Sequence, residues 1–132
     1  MQYTWQSFDK DIEILSRKVL QIPDMKNIYG IPRGGMIVAV ALSNRTELPL
    51  IDDERKISQR TVIVDDIVDS GKTMKKLLRV PELYTTASLF KGNKSEFEPT
   101  LYLNIKRKEW VIMPWEQNSN ARKDEQEYKQ RM

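Results

Sequence analysis

Apolar positions along the chain fall into two periodicities that alternate. Phe8, Ile12, Leu15 and Val19 recur at helical spacing behind Ser7 as a candidate N-cap, with Asp9 and Asp11 in the first turn, and predict a helix reaching about Ile22 before Pro23. Asn27 to Ile31 reads as the first core strand, and Gly35 to Ser43 as a helix apolar nearly all round and therefore buried. Leu48 to Ile51 predicts a short strand, and the charged run from Asp52 to Arg60 a solvated loop. Thr61 to Val64 is a β-branched run of the kind buried on both faces of a parallel sheet. Met74 to Arg79 predicts a helix stopped by Pro81, and Thr85 to Phe90 and Leu101 to Ile105 two more strands.

The order β-α-β-β-α-β-β predicts an α/β fold built on a mainly parallel sheet with flanking helices. At 132 residues the chain supports one core, assigned to residues 1–116. From Gln117 to Met132 almost nothing is apolar, which predicts a charged tail, frayed or disordered.

Composition removes several chemistries. With no Cys and no His, disulfides, Cys/His zinc sites, cysteine nucleophiles and imidazole bases are excluded, leaving acid–base work to carboxylates, Lys or Tyr. The net charge of +3 suits anionic ligands, yet 22 basic against 19 acidic residues is too balanced to indicate nucleic acid. No apolar run reaches the length of a membrane span and the first residues lack a signal-peptide pattern, so a cytoplasmic protein without membrane partners is expected.

Chemistry concentrates between Thr61 and Met74 (TVIVDDIVDSGKTM). Asp65 and Asp66 follow the β-branched run, which places two carboxylates at the carboxyl end of a strand, the edge where open α/β sheets bind ligands. Asp69, Ser70, Gly71, Lys72 and Thr73 then make a small, flexible turn opening a helix, where backbone N–H groups and hydroxyls can meet an anion. A capped strand-turn-helix connection would use the same small residues. Gly71-Lys72-Thr73 also matches the end of a P-loop, but that motif needs glycine where Asp66 stands. A third reading is a site that needs carboxylates and a phosphate cradle side by side, a demand met by a ribose 5-phosphate. A separate turn, Pro32-Arg33-Gly34-Gly35, joins the first strand to the apolar helix.

The stretch VIVDDIVDSGKTM resembles the phosphoribosyl-pyrophosphate (PRPP) motif of type I phosphoribosyltransferases. The resemblance implies that family's α/β fold with a small, reduced hood. It also implies PRPP and phosphate binding by Asp65, Asp66, Asp69, Ser70, Gly71, Lys72 and Thr73, with Mg²⁺ at Asp65 and Asp66. Pro32-Arg33-Gly34-Gly35 is similar to the pyrophosphate loop of the purine enzymes, in which the peptide before the basic residue is often cis. Lys91 stands where that branch carries a lysine for the 6-oxo group of the base. Trp110 to Glu116 (WVIMPWE) resembles the end of the xanthine-guanine-hypoxanthine branch, so Trp110 would stack on the purine and the Val111 backbone would read its edge. The implied activity is transfer of 5-phosphoribosyl from PRPP to N9 of a 6-oxopurine, with Asp69 as general base and release of pyrophosphate, in a dimer or tetramer of identical chains. The long lid of the family is reduced here to residues 52–60, which hold no Ser-Tyr pair. Two other classes fit parts of the chain: a non-catalytic binding module using Lys106-Arg107-Lys108 on RNA, and a phosphotransferase using Gly71-Lys72-Thr73.

Overall fold

The computed structural model describes residues 1–108 and 110–116; the tail expected after Glu116 lies outside the described residues. Among the described residues a five-stranded, wholly parallel sheet runs in the order β2-β1-β3-β4-β5. Its strands are β1 (Asn27–Gly30), β2 (Leu50–Ile51), β3 (Thr61–Val68), β4 (Thr85–Gly92) and β5 (Leu101–Lys106). Helices α1 (Trp5–Leu20) and α2 (Gly34–Thr46) cover one face and α3 (Lys72–Leu78) the other.

The expected helix α1 forms, but it begins earlier than Ser7. Thr4 caps it, its hydroxyl accepting from the Ser7 N–H at 3.1 Å, and Phe8, Ile12, Leu15 and Val19 turn inward as their spacing requires. Val62, Ile63 and Val64 are fully buried because consecutive side chains face opposite helical layers. Ile63 joins the cluster of Met74, Leu78 and Phe97, while Val62 and Val64 join that of α1 and α2.

Two expectations need correction. Helix α2 is not buried all round: Val38, Ala39 and Leu42 pack on the sheet, whereas Met36 and Val40 are half exposed on the opposite side. Asp65 and Asp66 do not end their strand, because β3 continues pairing with β4 as far as Val68. On its other side β3 loses its neighbour at Gly30, opposite Val64. The acidic pair therefore stands at a step in the sheet edge, closed by β4 and open towards the loop leaving β1.

That step is also the topological switch point. From β1 the chain winds outward to β2, and then returns across β1 to β3 before winding the other way through β4 and β5. Loops leaving β1 and β3 diverge there and leave a crevice between them.

Candidate active site

Two glycines bring the loop after β1 onto the acids. A Cβ on Gly34 would stand 2.1 Å from Asp66 Oδ2, and one on Gly35 would stand 2.5 Å from the Val64 carbonyl oxygen, so a side chain at either position would hold the Arg33 loop away from β3. The Pro32–Arg33 peptide is cis, in keeping with the resemblance. Arg33 is exposed at the start of α2.

The carboxylates below are held by their own backbone. Asp65 Oδ1 accepts from the Asp66 N–H and Asp66 Oδ1 from the Ile67 N–H, each at 2.8 Å. Burial, followed by the neighbouring charge of Asp66, pushes the Asp65 carboxyl up to about 9. Among the described residues no cluster of three or more His, Cys or carboxylate ligands forms. A divalent cation at this pair would need ligands from the substrate, the usual arrangement for Mg²⁺ bound to phosphates.

Beyond the pair, Asp69, Ser70 and Gly71 turn the chain into α3. Gly71 takes φ 90°, a left-handed conformation natural to glycine, and the Ser70 hydroxyl accepts from the Lys72 N–H at 3.3 Å. Met74, buried with Ile63, Leu78 and Phe97, anchors the turn. Asp65, Asp69, Ser70, Gly71 and Thr73 line a cavity of about 90 Å³, far below the ~300–1,000 Å³ of whole-ligand sites and suited to a single phosphate. Lys72 is exposed and does not line it. With α3 only seven residues long, an anion there would rely on loop N–H groups and hydroxyls more than on a helix dipole.

The predicted base-binding residues separate. Trp110 is half-buried with its ring 5.2 Å from Lys106 Nζ, and its carbonyl accepts from the N-terminal amine at 2.8 Å. Val111 is buried with Met113 in the cluster of α1 and α2, so only its backbone is available to a ligand. Trp115, the other tryptophan of that motif, packs edge-on against Phe8 and serves the core. Lys91 lies within β4, and its ammonium pairs with Glu98 at 3.1 Å and sits 5.3 Å from the Tyr102 ring. The residue brought against Asp69 is instead Lys106, whose Nζ donates to Asp69 Oδ2 at 3.0 Å from a side chain only 3% exposed.

Sequence reasoning grouped Lys106 with Arg107 and Lys108 as a basic cluster. Only the latter two are exposed. Strand β5 runs one residue further than its apolar pattern, and counting in twos from Tyr102 and Asn104 would have turned Lys106 to their side of the sheet. Among the described residues no helix is long and apolar enough to cross a bilayer.

No family model matches the chain. It is similar to the xanthine-guanine phosphoribosyltransferase of Nitratidesulfovibrio vulgaris (strain DP4), at 24% identity over 135 positions covering 86% of this chain and 82% of that one. Among solved structures it resembles a purine phosphoribosyltransferase from Pyrococcus horikoshii Ot3, with a TM-score of 0.76 and 27% identity over 89% of this chain and 94% of that one. The Helicobacter pylori xanthine-guanine-hypoxanthine phosphoribosyltransferase gives a TM-score of 0.75 and 24% identity, covering 93% and 97%. With the switch-point crevice, the acidic pair and the glycine loop described above, these likenesses give the chain the α/β fold of the type I phosphoribosyltransferases and make it similar to the purine enzymes of that family.

Proposed function

We propose that the protein transfers the 5-phosphoribosyl group from PRPP to N9 of a 6-oxopurine and releases pyrophosphate. The observation that carries this reading is the convergence of Arg33-Gly34-Gly35 on Asp65-Asp66 beside a cavity sized for one phosphate. PRPP presents the matching groups in the same order: a diphosphate, a ribose diol and a 5-phosphate.

Breaking the bond at the anomeric carbon builds positive charge on the ribose and negative charge on the departing pyrophosphate. Arg33 and the loop N–H groups address the second, and the carboxylates of β3 address the first. Asp65 and Asp66 are the residues that would hold Mg²⁺, which when bound offsets charge on the diphosphate. Ser70, Gly71 and Thr73 fix the 5-phosphate, so that the anomeric carbon is presented at a set distance from the base. Asp69, at the rim of the phosphate cavity, accepts the proton that the purine sheds as its N9 is alkylated. Trp110 offers a face on which the base stacks.

The direct test is pyrophosphate release from PRPP and Mg²⁺ with guanine, xanthine, hypoxanthine, adenine and uracil offered separately. Release with one or more 6-oxopurines and not with uracil is the expected result; release with none of the five rejects the reading.

Two substitutions probe its parts. Gly34→Ala forces a methyl group into the space of the Asp66 carboxylate, so PRPP affinity should fall by ~10-fold or more, a cost of about 1.4 kcal/mol per decade. Titration calorimetry reads this, and wild-type affinity would show that the loop does not meet the acids in solution. Trp110→Ala should weaken purine binding by ~1–3 kcal/mol, as for base–aromatic stacking elsewhere, and leave PRPP binding unchanged. Purine affinity that survives the substitution would mark Trp110 as a packing residue.

A further inference from the structure

The connection between β4 and β5 grips the phosphate turn from behind. Asp69, Ser70 and Gly71 make few bonds within that turn: the Ser70 hydroxyl accepts from the Lys72 N–H at 3.3 Å, while the N–H groups of Ser70 and Gly71 meet no acceptor among the described residues. Free main-chain donors of this kind are what an anion in the adjoining cavity uses. Their placement is therefore set by what packs against the turn.

Two contacts set it. At one end, a Cβ on Gly92, the last residue of β4 and in register with Lys106 on β5, would lie 2.4 Å from the Asp69 carbonyl oxygen. At the other end, a Cβ on Gly71 would lie 2.8 Å from the Cβ of Phe97, so the turn and Phe97 approach as closely as a bare α-carbon allows. Phe97 is 3% exposed and packs in the cluster of Val68, Met74 and Leu78. The segment leading to it is hooked to the end of the sheet: the Ser95 N–H donates to the Gly92 carbonyl at 3.1 Å, and the Ser95 hydroxyl to the Phe97 carbonyl at 2.6 Å. Phe97 does not line the phosphate cavity, so its influence on a ligand passes through Gly71.

We propose that Phe97 is a positioning residue for the 5-phosphate: its ring, held in the cluster under α3, keeps residue 97 against Gly71 and so keeps the turn in the shape that binds the anion. This rests on the PRPP reading for the identity of that anion. Phe97 belongs to none of the motifs that the sequence displays. Loss of the ring leaves the Cβ in place but releases its anchor. The turn then gains freedom that it must give up again when phosphate binds.

The test is titration calorimetry with two probes. Ribose 5-phosphate carries the 5-phosphate and no diphosphate, whereas pyrophosphate with Mg²⁺ addresses the Arg33 loop and the acidic pair. Both are titrated into the wild type, Phe97→Ala, Phe97→Leu and Leu78→Ala, the last a control from the same cluster at the far end of α3. Each protein is first shown by circular dichroism and thermal melting to be folded. Phe97→Ala is expected to bind ribose 5-phosphate ~10–100-fold more weakly, the weight of one hydrogen bond to a charged group, and to bind pyrophosphate as the wild type does. Phe97→Leu, which refills most of the cluster, should show a smaller loss in the same direction, and it decides the question alone where the alanine variant does not fold. Leu78→Ala should melt earlier and bind both probes normally. Wild-type ribose 5-phosphate affinity in the folded Phe97 variants, an equal loss of pyrophosphate affinity, the same selective loss in Leu78→Ala, or a wild type that does not bind ribose 5-phosphate would each overturn the assignment. A selective loss in a protein that releases no pyrophosphate with any base would uphold it and remove only the transferase reading.

Discussion

Asp69→Asn is expected to lower turnover by ~10²–10⁴-fold, the usual contribution of a positioned general base, while PRPP affinity stays largely unchanged. The amide keeps the size of the carboxylate and one acceptor oxygen. It loses the capacity to take a proton, which matters only once the purine is shedding one. The geometry adds a second consequence, because Asp69 is the carboxylate that faces the buried Lys106 ammonium. Removing one partner of a fully buried ion pair costs ~3–5 kcal/mol; with Asp69 about a third exposed and an amide oxygen still able to accept, about 1–2 kcal/mol is expected here. Stability and turnover can be separated by the double variant Asp69→Asn with Lys106→Met. It should recover much of the melting temperature, since no buried charge is left facing an amide, and none of the rate. Losses of kcat and of PRPP affinity in equal proportion would instead make Asp69 a binding residue.

What could be read from the sequence was what local pattern controls. The β-branched run from Thr61 to Val64, the helical spacing of Phe8, Ile12, Leu15 and Val19, and the glycine turn after β1 each state their structure within a few residues. The parallel sheet followed from their order. The position of Asp65 and Asp66 within β3 did not, because it depends on where β1 stops and β4 continues, and both facts lie outside the motif. The exposed side of α2 escaped for a similar reason: Met36 and Val40 are as apolar as Val38 and Leu42, and only the placement of the sheet tells them apart. Lys106 is the most instructive case. In sequence it heads a run of three basic residues, the ordinary sign of a solvated surface, and its burial is decided by the missing side chain of Gly92 on the adjacent strand.

The acidic pair makes a stability prediction of opposite sign to its catalytic one. A carboxyl raised to about 9 in the folded protein, against an ordinary value of ~3.9, binds its proton more tightly folded than unfolded. Its contribution is then fully present below the ordinary value and is lost progressively as pH rises towards about 9, because over that window the folded state holds a proton that the unfolded chain has released. The ligand-free protein should therefore melt at steadily lower temperature between about pH 4 and pH 9. Asp65→Asn removes the titrating group and its repulsion with Asp66 but keeps an acceptor for the Asp66 N–H. At pH 8 the variant is expected to melt ~5 °C or more above the wild type, a shift worth roughly 1 kcal/mol in a domain of this size, and at pH 4 the two should coincide. The same variant should be nearly inactive if the pair serves the ribose and the metal, placing the residue among those where a site is built at the expense of the fold. Parallel melting curves for the two proteins from pH 4 to pH 9 would mean that Asp65 ionises as an ordinary carboxylate and that water reaches it through the step beside Gly30.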